Sequence, residues 1–384
     1  MGHSVYNHFG VTEIINCVGY ATRVGGSCPS QPILDAMREA NRAFVEIDDL
    51  QAAASKVIAH HTGAEAGIVT CGASAGLTLA AAACMTGANV EWMDQLPVTT
   101  GLPRNEIIYP KSGPFDYEHP LRASGAKLIQ IDYASASALK RIEKAIGPKT
   151  AAIGYAWYHV DEKPSIEKLA ALAHRHKLPL IMDAAMSLPP AENLSRFIRC
   201  GAALVVYSGG KHLGGPQASG ILCGRRNLIR SAWVQMVDMD VRAGTWSLHR
   251  WIQEGWIARP PRHGIGRSMK VGKEAIIGLM TALELYAKRD FKAEQKRWHS
   301  LAKALVTGLE FLNAKLFFPS PTGQSYPTVQ ITIPPGTQNK LREQTPRIIL
   351  AEDEQYPGRA YIYPMCLQPE HPKQIIAALR KAQP

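Results

Sequence analysis

Residues 201–224 read GAALVVYSGGKHLGGPQASGILCG: an apolar run, a lysine between two glycine pairs, and a second apolar run. Both runs have the length of buried strands. What Lys211 does between them decides the fold. A Walker A phosphate loop needs glycine six positions before its lysine and Ser or Thr directly after it. Those positions hold Val205 and His212, so that reading fails. A G-x-G-x-x-G dinucleotide fingerprint is missing from this stretch and from CGASAG at 71–76.

Further strand-like runs lie upstream: AGIVTC (66–71), KLIQIDY (127–133), AAIGYAWYH (151–159) and LPLIMDAA (178–185). Helix-period segments are expected between them at 74–86, 135–146, 165–177 and 191–199. The third of these opens on Ser165 as a cap and ends on His174, Arg175, His176 and Lys177, cations that suit a helix carboxyl end. Alternation of this kind predicts an α/β domain with a mostly parallel sheet.

From about 225 to 270 the alternation breaks into Trp, Gly, Pro and Arg. Trp246, Trp251 and Trp256 suit an interface, an entrance channel or plain core packing. Beyond it, two helix-periodic stretches, three strand-like runs and a closing helix describe a smaller α+β unit. The expected divisions are 1–45 as a segment packing on the small domain, 46–270 as the large domain and 271–384 as the small one.

The bulk numbers agree with a folded chain. The 384 residues are 46% hydrophobic and 20% charged, which excludes a disordered chain, and no apolar run approaches the length of a membrane span. Seven scattered cysteines without a C-x-x-C pair, and no secretory signal, suggest the cytoplasm. The formal charge of +11 is spread along the chain and not gathered on one arm, which argues against a dedicated nucleic-acid binder. The HRH at 174–176 has metal-like composition, but adjacent positions on a helix end do not converge on one ion. No metal site is expected.

Three features can cooperate chemically. In GIVTCGASAGLTLAAA (67–82) a strand runs through Gly72, Ala73 and Ser74 into a helix, where small side chains and free N–H groups suit an anion, with Ser74 as a candidate N-cap. The same residues also suit a tight turn with a capped helix. Asp183 ends a strand, at the edge where open α/β sheets bind ligands. Lys211 follows 28 positions later, past one helix and one strand. An anion cradle, a strand-end Asp and a strand-end Lys are the parts needed to hold pyridoxal 5'-phosphate: cradle for phosphate, Asp for the pyridine nitrogen, Lys for the Schiff base. Ser208 can add a hydroxyl to the phosphate, and the surrounding glycines would let the backbone approach the cofactor.

Five ordered motifs then carry a resemblance: INCVGYATRVGGS (15–27), TGAEAGIVTCGASAGLTLAAAACMTG (62–87), LPLIMDAAMSLPPAENLSRF (178–197), YSGGKHLGGPQASGILCGRRNLI (207–229) and GIGRSMKVGKEAIIGLMTALE (264–284). Together they resemble the branch of fold-type I pyridoxal phosphate enzymes that contains D-glucosaminate-6-phosphate ammonia-lyases and relatives of bacterial selenocysteine synthase. The resemblance implies that fold, Lys211 as the Schiff-base lysine, Asp183 on the ring nitrogen, and Gly72, Ala73, Ser74 and Ser208 on the phosphate. It also implies that Arg267 and Lys270 reach the active site near a subunit boundary, in an oligomer of at least two chains.

The loop KSGPFDYEHPLRASGA (111–126) departs from the family pattern, leaving Phe115 or His119 as candidates to stack on the ring. Arg23, Arg347 and Arg359 are candidates for a substrate carboxylate. The expected activity is a lyase of ammonia-lyase or dehydratase type on a small amino acid, D-configured, hydroxylated or anionic. A racemase or epimerase and a β-replacement transferase use the same motifs and stand as alternatives, and a nucleic-acid-binding protein on an enzyme fold is the reading of a different class.

Overall fold

The computed structural model describes residues 4–111, 117–157, 164–237, 242–318 and 326–383. Residues 27–288 form one compact unit, and residues 1–26 with 289–384 form another. The edges fall at 26 and 288, whereas the sequence suggests 45 and 270. Residues 27–45 go with the larger unit because Ser27 Oγ donates to the Gly215 carbonyl at 2.6 Å and the helix Gln31–Ala40 packs on the helix Lys273–Ala287. That second helix, expected in the small domain, stays with the large sheet through Leu279, which packs against Gly209 and Gly215.

The first strand, β1 (Ile14–Asn16), belongs to the smaller unit. The larger unit supplies β2 (Ala66–Thr70), β3 (Glu106–Pro110), β4 (Lys127–Ile131), β5 (Thr150–Ala156), β6 (Leu180–Asp183), β7 (Leu204–Ser208) and β8 (Gly220–Gly224). They form one seven-stranded sheet in the order β2-β8-β7-β6-β5-β3-β4. β8 alone runs opposite to the other six strands. Every residue of β2, β5, β6 and β8 is buried. Their near-continuous apolar composition follows from being covered on both faces.

The helix Ala73–Thr86 crosses the sheet almost wholly buried, which is why it is built from Ala, Gly, Leu and Thr. Its Gly76 sits where a Cβ would lie 3.0 Å from Val206 Cγ1 on β7. Its buried hydroxyls are satisfied: Thr86 donates to the Ala82 carbonyl at 2.9 Å and Thr78 to the Pro120 carbonyl at 2.9 Å.

In the smaller unit, β9 (Lys315–Phe317), β10 (Thr328–Thr332), β12 (Ala351–Glu352) and β13 (Arg359–Ile362) make an antiparallel sheet in the order β12-β13-β10-β9. β1 pairs in parallel with β11 (Arg347–Ile349), Ile14 opposite Arg347. The helices Phe291–Gly308 and His371–Lys381 cover the core built on Leu305, Val329, Ile362 and Ile375. No described helix is long and apolar enough to cross a membrane.

Candidate active site

The strand registers bring the larger unit's polar residues to one edge of the sheet. Gly220, first residue of β8, lies between Thr70 at the end of β2 and Ser208 at the end of β7. Asp183 ends β6, opposite Val206 of β7 and Ala156 of β5. Three strand ends carry polar groups, Thr70, Asp183 and Ser208, and the loops leaving them carry the rest.

The loop after β2 turns at Gly72, whose φ of 133° and ψ of 165° belong to glycine almost exclusively. That turn starts the helix at Ala73, one residue earlier than the sequence suggests. Gly72 is therefore the N-cap and Ser74 stands inside the first turn, where its side chain makes no capping bond. The first intrahelical bond is Gly76 N–H to the Gly72 carbonyl at 3.1 Å, so the N–H groups of Ala73, Ser74 and Ala75 point out of the helix end. Thr70 Oγ1 donates to the Gly72 carbonyl at 2.8 Å and fixes the turn. Beneath it lies Gly220, where any Cβ would come within 2.5 Å of Gly72 C and 2.7 Å of Ala73 N. Accessible N–H donors at the positive end of a 14-residue helix fit a phosphate.

Lys211 sits half-buried in the turn after β7. That turn is tied by Gly209 N–H to the Ser219 carbonyl at 2.8 Å, Gly214 N–H to the Lys211 carbonyl at 2.8 Å and Gly215 N–H to the Gly209 carbonyl at 2.9 Å. Gly209, Gly210 and Gly215 are crowded by the loop's own packing. A Cβ on Gly209 would meet Ser219 and Leu279, and one on Gly210 would lie 2.6 Å from Gln217 Cα.

Asp183 is 4% exposed and accepts a hydrogen bond from Ala185 N–H at 3.0 Å. Burial pulls the Lys211 amine below the ordinary lysine range, and the Asp183 carboxylate pulls it back up. A lysine so placed has a more accessible neutral form than a surface lysine, which amine chemistry with an aldehyde requires.

Beside the cradle is a cavity of about 470 Å³ lined by Cys71, Ser74, Thr78, Tyr117, His119 and Met269 among others. The Lys211 Nζ stands 6.0 Å from the centroid of the Tyr117 ring. Of the two aromatic candidates for ring stacking, His119 lines this cavity and Phe115 lies outside the described residues. Tyr117 is the aromatic that the sequence reading passed over. The signal for it is position: it follows β3, whose short run EIIYP is itself strand-like.

Arg267 is not brought to this cavity within the chain. It lines a separate cavity of about 760 Å³ with Asp48, Trp246 and Lys270, while Met269, two residues on along a 3₁₀ turn, faces the cradle cavity. Two residues on a three-per-turn helix point different ways. Trp246 and Trp251 are 4% and 6% exposed, and Trp251 packs edge-on to both Trp246 and Trp256, so the tryptophans join the core. Arg23, Arg347 and Arg359 stand in the other unit. Arg359 is engaged there, 3.5 Å from Asp353 and 4.1 Å from the Tyr356 ring centroid, whereas Arg23 and Arg347 line one cavity. At the helix end after 173, Arg175 and His176 both bind Glu143 on the surface.

Comparison with known proteins gives the family and the fold. A family model described as SelA, L-seryl-tRNA selenium transferase, matches residues 48–243. A D-glucosaminate-6-phosphate ammonia lyase of Salmonella typhimurium is 30% identical over 312 residues, 79% of this chain and 76% of its own. A 5'-C-glycyluridine monooxygenase-decarboxylase of Streptomyces is 27% identical over 98% of this chain and 91% of its own.

Among solved structures, that of a D-glucosaminate-6-phosphate ammonia-lyase matches with a TM-score of 0.79 at 26% identity, covering 100% of this chain and 98% of its own. A cysteine desulfurase from Thermococcus onnurineus shares the fold, with a TM-score of 0.60 at 16% identity over 96% of this chain and 94% of its own. The chain belongs to the SelA family of fold-type I enzymes, and pyridoxal 5'-phosphate is its cofactor.

Proposed function

We propose that this enzyme is a lyase that releases ammonia from a small amino acid, with Lys211 as its reacting amine. The observation that carries the reading is Lys211 itself: a half-buried amine with a depressed pKa, beside the buried Asp183 at the sheet edge that also presents the cradle. The ammonia-lyase relative supports the reaction type.

When bound, the cofactor supplies an aldehyde that condenses with amines and a ring that accepts the electron pair left at the substrate's α-carbon. The chain's residues divide the remaining work. The N–H groups of Ala73 and Ser74, with the Ser208 hydroxyl, bind phosphate oxygens. Asp183 holds the proton on the pyridine nitrogen, which a buried carboxylate does at little reorganisation cost. With the cofactor bound, the Lys211 amine would take the proton from the substrate's α-carbon. Loss of a β-hydroxyl as water and its return on hydrolysis leave a 2-keto acid and ammonia. A homo-oligomer of at least two chains, with Arg267 near the subunit boundary, completes the proposal.

Lys211→Ala is expected to abolish both turnover and the visible absorption of the lysine-bound cofactor, while thermal unfolding stays cooperative. Retained turnover would remove Lys211 from its role. Product analysis on a panel of D- and L-amino acids tests the reaction: keto acid release agrees with a lyase, and loss of optical activity without keto acid would make the enzyme a racemase.

A further inference from the structure

We propose that the smaller unit carries an anion site of its own, built by Arg23, Arg342 and Arg347, for a small molecule bearing a phosphate group. The three arginines line one cavity of about 500 Å³ whose remaining walls are Ile14, Val24 and Ile349. They come from three places in the chain. Arg347 opens β11, paired with Ile14 of β1; Arg23 lies on the 3₁₀ turn Thr22–Val24; Arg342 ends the helix Thr337–Arg342, which packs on β11.

No carboxylate among the described residues lines the cavity. Among the described residues none of these three exposed arginine side chains forms an ion pair or hydrogen bond, while Arg359 of the same unit has Asp353. Three like charges around one cavity repel, and an anion between them turns that repulsion into attraction.

The chemistry of the donors selects the anion. One carboxylate fills one guanidinium fork, whereas a phosphate dianion offers three oxygens to forks arriving from different sides. The cavity is larger than a phosphate and falls in the range that holds a small organic ligand. Its apolar wall of Ile14, Val24 and Ile349 suits the carbon skeleton to which the phosphate is attached. The site stands apart from the reading of Lys211 and holds or fails without it.

Calorimetric titration of the holoenzyme at low ionic strength tests the site, because the cofactor's own phosphate position is then filled. The probes are inorganic phosphate and 6-phosphogluconate, a phosphorylated acid without an amine to react. Both are expected to bind the wild type and to lose at least about tenfold in affinity in the Arg342→Gln/Arg347→Gln variant. Arg23→Gln, a single change on a short 3₁₀ turn, serves as the second variant should the double variant unfold. Tighter binding of the phosphorylated acid than of phosphate assigns the site to an organic phosphate, and equal binding assigns it to free phosphate. Absence of binding by the wild type, or equal affinity in a variant whose melting and cofactor absorption match the wild type, overturns the proposal.

Discussion

Asp183 holds the charge on Lys211 against burial: the carboxylate at the end of β6 raises the pKa of an amine that its surroundings push down. In the apoenzyme the neutral amine is therefore scarcer than burial alone would make it. Asp183→Asn removes the opposing charge, and the Lys211 pKa is expected to fall further. The rate at which an amine-directed acylating reagent modifies Lys211 reports this. Its pH midpoint should move down in the variant, and an unmoved midpoint would mean that the two groups are electrostatically separate.

The cradle depends on two glycines for different reasons. At Gly72 a Cβ has open space, but the backbone conformation excludes other residues, so Gly72→Ala should cost roughly 1–3 kcal/mol through strain. At Gly220 the backbone is unremarkable and the space is missing, since the new methyl group would meet the Gly72 and Ala73 backbone. Gly220→Ala should cost about 1–3 kcal/mol and also displace the phosphate donors. Melting with and without added cofactor separates the cases: the stabilisation that cofactor confers should shrink more in Gly220→Ala. Equal shrinkage would mean that the donors tolerate displacement.

The parts of the site that were legible in the sequence are those whose chemistry is local. β6, β7 and β8 announce themselves as apolar runs, and Asp183 and Lys211 are fixed at their ends by counting residues. The turn at Gly72 misled by one residue, because Ser74 looks like a cap and the glycine conformation that starts the helix at Ala73 leaves no mark in composition. The crowding of Gly209, Gly210 and Gly215 against Ser219, Gln217 and Leu279 was not legible either, since it involves residues up to 70 positions away. The pairing of β1 with β11, which brings Arg23 and Arg347 to one cavity, is a long-range register that no local pattern encodes.

Among the described residues, Tyr117 is the aromatic ring that reaches both the cradle cavity and the Lys211 amine. At 6.0 Å the ring and a protonated amine attract only weakly, worth about 0.5–1 kcal/mol at an accessible site. Tyr117→Phe should leave cofactor affinity nearly unchanged, because the ring face and not the hydroxyl is presented. Tyr117→Ala should weaken cofactor binding several-fold and shift its visible absorption maximum. If the alanine variant binds cofactor as the wild type does, the ring is only a wall of the cavity.

Asp48 gives the larger unit a pH dependence of known sign. Burial raises its carboxyl pKa from 3.8 to about 6; a hydrogen bond from Trp233 lowers it in part, and the neighbouring Glu46 and Asp49 add to the rise. A carboxyl whose folded pKa lies above its unfolded value favours the fold in its protonated form. Its contribution is therefore full below about pH 4 and is lost as pH rises through about 6. Asp48→Asn keeps an uncharged side chain able to accept from Trp233 and Ser247, and so removes the titration. Melting temperature followed from pH 4 to pH 7 should fall more in the wild type than in the variant, with the difference developing between about pH 4 and pH 6. Parallel curves would show that Asp48 remains solvated and titrates as it does in the unfolded chain.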